Sequence, residues 1–217
     1  RLKELFLKNN YSKDETNKII PIDIRPYLVP FSWELLLNKD ISDIKKNLTL
    51  NQFLLKIKLF FNLFNKKMDM KLIKTFLKNI FYNIKNRLDK NKNSGIVEHY
   101  KELSRYFLEF VNKYKKYMDQ KIIDVLKKEP EIFLEISNIL SNILEWYTVL
   151  EMGSKNNNVI IHSGLAHTHR INSILKKYYK FQEIESHGIV EFNPENISDG
   201  VESCVNISDR VIKIFNP

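Results

Sequence analysis

Apolar side chains recur along most of this chain at the helical interval. Leu50, Phe53, Leu54, Ile57, Phe60, Phe61 and Phe64 follow one another at steps of three and four, which places them on one face of a helix. Ile73, Phe76, Leu77, Ile80, Phe81, Ile84 and Leu88 repeat the pattern. After a polar break at Asn91–Gly95, the spacing predicts a long helix from about Ile96 to about Leu126, through Tyr100, Leu103, Phe107, Phe110, Tyr114 and Tyr117. Pro130 suits the first turn of the next helix. That helix carries Phe133, Ile136, Ile139, Leu140, Ile143, Leu144 and Tyr147 and is expected to close at Gly153. Arg1–Lys8 reads as a short amphipathic end, and Pro30 opens a turn carrying Trp33, Leu36 and Leu37.

A second pattern lies outside this helical block. Ile19–Ile24, apolar with an internal Pro21, reads as a short edge strand, and Val159–Ile161 is a short apolar run rich in β-branched residues, the signature of a buried strand. Phe181–Ile184, Ile189–Phe192 and Val211–Phe215 are further strand candidates. Gly164 breaks the second run and gives the backbone freedom for a tight turn. From His167 to Tyr179 the period becomes helical again, with Ile171, Ile174, Leu175 and Tyr178 on one side. The expected fold is therefore α/β and predominantly helical, a small sheet with a large all-helical insertion. Residues 1–217 form one domain or the C-terminal part of one, 45–153 the insertion, and 154–217 a βαβ-like end. Ile19–Ile24 and Val159–Ile161 are expected to lie in one sheet.

Composition adds constraints. The 217 residues include 43% hydrophobic and 12% aromatic side chains but only 5 Gly and 6 Pro, which indicates a globular, helix-rich chain. Lys, Asn and Ile are heavily used, as in proteins from AT-rich genomes. Cys204 is the single cysteine, so no intrachain disulfide framework or Cys-rich zinc site is available, and a reducing compartment fits. No apolar run is long enough to span a membrane. The first residue is Arg1, not Met, so the expectation is a C-terminal part of a longer protein, with its upstream half as a candidate partner, or a chain whose early residues are missing.

The formal net charge is +9, unevenly spread. Lys45–Lys92 holds 13 Lys/Arg against 2 Asp, whereas residues 183–217 hold 7 acids against 2 bases. The basic block offers a surface to an anionic ligand, to nucleic acid or to an anionic membrane. The same lysines fall on the polar sides of amphipathic helices, which also describes a solvated face.

Candidate chemistry gathers where the apolar runs end. Three of the 5 histidines, His162, His167 and His169, lie close to Gly164. Ligands bind beyond the carboxyl ends of strands in open α/β sheets, so Gly164–His169 is a candidate site. A helix N-terminus there favours a neutral imidazole at His167, the form required of a general base or a metal ligand. His169 stands about 200° round a helix from His167, whereas Arg170 at i+3 shares its face. Arg25 follows the other predicted strand. Its guanidinium suits a carboxylate, a phosphate or a developing oxyanion. Asp23, two residues earlier, points to the same side, as a binding partner or as a structural pair for Arg25. His167 and Arg25 are thus the candidate catalytic residues, expected to face one cleft. Gly164, Asp23, His169 and Arg170 are the candidate substrate-binding residues. If a divalent metal is the cofactor, His167 is its ligand. No HExxH, CxxC, P-loop, GxGxxG or GxSxG pattern occurs.

The order Ile22-Asp23-Ile24-Arg25, a long helical stretch, then Gly164-Leu165-Ala166-His167 resembles the TraB/Tiki and erythromycin-esterase-like superfamily. That group carries two GxxH motifs, a glutamate and an arginine at strand ends of an α/β core. Trp146–Met152 followed by Val159–His167 is similar to uncharacterised proteins of large nucleocytoplasmic DNA viruses. The resemblance implies that His167 is the second-motif histidine, Gly164 its glycine and Arg25 the arginine. It implies that the first GxxH and the glutamate lie upstream of Arg1. It also implies a viral protein of the virion or host cytoplasm with hydrolase-like chemistry, metal-dependent or histidine-based. A non-enzymatic virion or host-interaction protein and a basic helical nucleic-acid-binding module are the alternatives.

Overall fold

The structure, a computed structural model, describes residues 22–30, 47–63, 84–90, 94–152, 159–161 and 163–184. Of these residues 75% are helical and none forms a strand. The helices are α1 (Arg25–Leu28), α2 (Leu50–Phe53), α3 (Leu55–Phe61), α4 (Gly95–Lys113), α5 (Ile122–Lys128), α6 (Glu131–Met152) and α7 (Leu165–Tyr179), with a 3-10 turn at Lys115–Tyr117. Residues 84–90 are also helical.

The expected α/β architecture is therefore corrected to a helical one. Residues 159–161 are irregular, with Val159 44% and Ile160 77% exposed. Only Ile161 packs against the core. Residues 22–24 are irregular too, and a helix starts at Arg25 because Pro26 fits a first helical turn. Phe181 and Ile184 are exposed, without a ladder. A short β-branched run fills a strand only when a neighbouring strand takes its N–H and C=O groups, and periodicity cannot separate such runs from other buried segments. The sole β-type contact among the described residues is an isolated antiparallel bridge between Thr49 and Lys121. Without a sheet, the helices are no insertion and α7 is no part of a βαβ unit. The readings of 1–21, 31–46, 64–83, 91–93, 153–158, His162 and 185–217 lie outside the described residues. They include the strand candidates at 189–192 and 211–215, the Gly153 cap, Cys204 and half of the basic block at 45–92.

The core forms around α6. Its first half buries one face through Ile132, Ile136, Ile139 and Leu140. From Ile143 to Leu150 every residue is buried, because α1, α4 and α7 all pack on this helix and α5 meets it as well. Trp146 stands at the centre, its ring 5.6 Å from Phe60 and 5.4 Å from Tyr100. Its indole N–H donates to the Ile96 carbonyl at 2.9 Å. Tyr100 in turn donates to the Phe60 carbonyl at 2.5 Å. These bonds tie α3, α4 and α6 together while satisfying the polar tips of large buried rings.

The long helix expected over 96–126 is divided. α4 stops at Lys113, and the segment that follows spends its backbone groups on the first residues of α2 and on Leu48 just before it. Leu50 N–H donates to the Gln120 carbonyl at 3.0 Å, Asn51 N–H to the Met118 carbonyl at 2.9 Å, and Ile122 N–H to the Leu48 carbonyl at 2.9 Å. α2 itself starts with a capping box: Thr49 accepts from the Gln52 N–H and the Gln52 side chain accepts from the Thr49 N–H.

Gly95 marks a close helix crossing. A Cβ built there would stand 2.4 Å from the Tyr178 carbonyl oxygen, a backbone atom of α7. Gly95→Ala is expected to push α7 from the N-terminus of α4 at a cost of about 1–3 kcal/mol, the usual range for overpacking. Urea denaturation checks this, and an unchanged midpoint would mean that the crossing yields without cost.

Candidate functional site

Five chemistry-bearing residues meet where α1, α6 and α7 converge. α1 is anchored by Ile24 and Leu28, both buried and one turn apart. That anchoring leaves Asp23 and Arg25 at the outer edge. Asp23 accepts a side-on fork, from Arg25 Nε at 2.8 Å and Nη2 at 2.7 Å, and also the Arg25 backbone N–H at 3.1 Å. Partial burial pushes the Asp23 carboxyl up. The bonds and charge of Arg25 outweigh that, and with a smaller pull from His167 they hold it below its usual value. Arg25 is raised, first by the Asp23 bond and also by the charge of Glu145.

Glu145 is the group that sequence reasoning missed. It is 1% exposed, inside the fully buried half of α6. Its Oε1 lies 2.9 Å from His167 Nδ1 and 3.3 Å from Arg170 Nη1. Burial raises its pKa, against the opposing bonds and charges of His167 and Arg170. The signal was present in Ile143-Leu144-Glu145-Trp146-Tyr147. An acid on a helix flank that is otherwise apolar must be paired if that flank is buried.

His167 occupies the third position of α7, after Gly164 as N-cap. Glu145 at Nδ1 selects the tautomer with its proton there, which leaves Nε2 as the basic nitrogen. Nε2 makes no hydrogen bond to any described residue, and the side chain is 25% exposed. Arg170, one turn on, reaches the same carboxylate with a side chain 40% exposed. The structure therefore gathers Asp23, Arg25, His167 and Arg170 around Glu145. His169 is exposed and stands on a different side of α7. Gly164 has φ −63° and open space where a Cβ would be. The special freedom expected of that glycine is not used. Its carbonyl accepts the Thr168 N–H at 3.0 Å, and the Thr168 and Ser163 hydroxyls meet at 2.8 Å.

The expected metal role of His167 lacks a donor set. No three His, Cys, Asp or Glu groups come together to hold an ion among the described residues. Arg25 is likewise engaged by Asp23 and does not present an open fork to an anion. In the described part of the basic block, Lys58 bonds Asn51, Lys85 pairs with Asp89 at 3.1 Å and Arg87 with Glu151 at 2.8 Å. No described helix is long and apolar enough to cross a membrane.

A second histidine is buried apart from this cluster. His99, on α4, is 6% exposed and stacks on Tyr178 at 4.6 Å. Burial pushes its pKa down to about 4, against the charge of Glu102 and with a small further push from Lys177. A depressed histidine adds stability that is fully present above the unfolded value of about 6.5 and is lost as pH falls through the folded value. Wild type is therefore expected to lose stability relative to His99→Phe between about pH 6.5 and pH 4. Parallel urea titrations across that range measure the difference, and parallel curves would show that the imidazole is already hydrated.

No protein-family model, curated protein or solved structure matches the chain.

Proposed function

We propose that the chain is a hydrolase acting on a neutral ester or amide, with His167 as general base and Glu145 as the group that positions it. One observation carries this reading: a carboxylate that is 1% exposed lies 2.9 Å from Nδ1 of a histidine whose side chain is partly open. A buried acid that fixes the tautomer and ring orientation of an accessible imidazole is the arrangement of histidine-based hydrolysis. Nε2 takes a proton from water as the water oxygen attacks the carbonyl carbon. The carbon–heteroatom bond then breaks, and the proton passes to the leaving group. The remaining N–H groups of Arg170 are suited to the oxyanion that forms.

Charge narrows the substrate. Asp23 and Glu145 balance Arg25 and Arg170, so the cluster is neutral when His167 is neutral. Such a site gains little from a dianion, which favours an uncharged ester over a phosphate monoester. The test is hydrolysis of short-chain p-nitrophenyl esters by the wild-type chain and by His167→Ala.

A second reading has its own observation. All four charges of the cluster are already paired within it, as in a polar clamp that holds α1 and α7 on α6. In that case the chain is a helical interaction protein, and His167→Ala changes stability alone.

A further inference from the structure

The two ends of α7 are held by different means. Towards its start, Ile171 and Ile174 are buried, and His167 and Arg170 reach Glu145 on α6. Its last turn lies instead along α4, on a stripe formed by Gly95, His99 and Glu102 at i, i+4 and i+7. Gly95 lets the Tyr178 carbonyl come close. The His99 ring stacks on the Tyr178 ring at 4.6 Å and 18°. Glu102 accepts from Lys177 at 3.0 Å and from the Tyr178 hydroxyl. This contact is built from groups that titrate.

Acid works against each of them. Protonation of His99 sets a cation in a site 6% exposed, and its Nδ1 has no hydrogen-bond partner among the described residues. That cation also stands near the Lys177 ammonium. Protonation of Glu102 removes the anion that Lys177 and the Tyr178 hydroxyl share. The contact thus passes from neutral to doubly positive. Arg105, Tyr106 and Glu109 border the neighbouring groove from α4, and α6 adds only the uncharged Asn142 there. None of them gives Nδ1 an acceptor.

We propose that the α4–α7 contact is an acid-released latch: protonation of His99, then of Glu102, frees the last turn of α7 from α4 while the rest of the helix stays on α6. The order follows from the two groups. Burial holds the His99 pKa down to about 4, whereas a hydrated imidazole titrates near about 6.5. The open form therefore takes the proton first, and opening grows as pH falls below about 6.5. Glu102, held below its usual value by the Tyr178 and Lys177 bonds, adds its push lower in the range. A freed terminal turn then frays, because a lone helical turn is unstable in water. The latch does not depend on what the Glu145–His167 cluster does.

The test is native-state amide hydrogen exchange of the full chain from about pH 7 to about pH 4.5, with and without sub-denaturing urea. The Lys180 and Phe181 amides, both donated to the Leu175 carbonyl, report the latch. The amides of Trp146–Leu150 on α6 report global unfolding. In the wild type, the Lys180 and Phe181 amides should be less protected than those of α6 and insensitive to urea, as a local opening requires. Their protection should fall about 50-fold across that range, the ratio set by titration near 6.5 when open and about 4 when closed. His99→Phe keeps a ring on Tyr178 and cannot take the proton, so at most about a twofold fall should remain, the share of Glu102. His99→Met gives the same readout without the ring. Constant protection in the wild type overturns the proposal. So does exchange with the urea dependence of the α6 amides, which would make the opening global. A full 50-fold fall in either variant overturns it as well.

Discussion

Trp146→Ala is expected to remove about 3–5 kcal/mol of stability, the range for emptying a large aromatic site in a packed core. Trp146 is fully buried. Its ring meets Phe60 edge-on at 81° and Tyr100 at 53°, and each such contact adds about 0.5–1.5 kcal/mol beyond the area buried. Its N–H also joins α6 to the start of α4 through Ile96. Three helices meet at this ring, so the cavity cannot close by moving one of them. Total stability of a domain is about 5–15 kcal/mol, so the variant stands near the edge of folding. Trp146→Phe should lose less, since most of the ring is kept and only the bond to Ile96 goes. Leu134→Ala is the control: Leu134 lies on the same helix but is 63% exposed, and a surface change of this kind shifts stability by about 0.5 kcal/mol at most. Urea denaturation of the three variants gives the order. A loss below about 1 kcal/mol for Trp146→Ala would place the centre of the core elsewhere.

The helical interval was legible because it reports burial directly. Phe53, Leu54, Ile57, Phe60 and Phe61 recur at steps of three and four, and all are buried. Tyr100, Leu103, Phe107, Phe110 and Tyr114 behave alike along α4. The division of the long helix after Lys113 was not legible. Residues 114–121 contain no Gly or Pro, and the break comes from backbone bonds to residues 48–51, more than 60 positions away. The predicted strands failed for a related reason. Val159, Ile160 and Ile161 have the side chains of a strand, but a strand also needs a partner to take its backbone groups. Sequence periodicity reports side chains and says nothing of that partner. Residues 22–24 failed locally, because Pro26 serves as an early helical residue of α1 and the chain turns helical at Arg25.

Part of the cluster could be anticipated from short-range spacing. Asp23 and Arg25 are two residues apart, and His167 and Arg170 share a helical face. Glu145 lies 22 and 25 positions from its two partners. No pattern of spacing links them. What places Glu145 there is the burial of α6 on all sides from Ile143 to Leu150. The carboxylate beside His167 is brought by the packing of α6 against α7.

Removing His167 gives the largest expected change in activity. A positioned general base is worth about 10²–10⁴ in rate, so His167→Ala should lower kcat/KM for a p-nitrophenyl ester by that factor. The fold should tolerate the change, because the imidazole is already 25% exposed and the one buried acceptor it serves, Glu145, keeps Arg170 as a partner. Glu145→Gln separates positioning from packing. It keeps the shape of the side chain and removes the charge that holds the Nδ1 proton, a loss of about 10–100-fold by analogy with groups that orient a reactive imidazole. The effect should fall on kcat more than on KM, since Glu145 is buried and touches no substrate. Glu145→Gln should also flatten or displace the acid limb of the kcat/KM profile, which a purely structural glutamate would leave in place. Arg25→Lys tests the outer pair: an ammonium cannot reproduce the two-point grip on Asp23, and a smaller loss is expected because Arg25 acts through Asp23 and Glu145. If His167→Ala hydrolyses the ester as fast as wild type, the histidine belongs to a structural clamp and the hydrolase reading fails. Equal activity at a lowered melting temperature would fix that conclusion, because it would show the same contact carrying stability and nothing else.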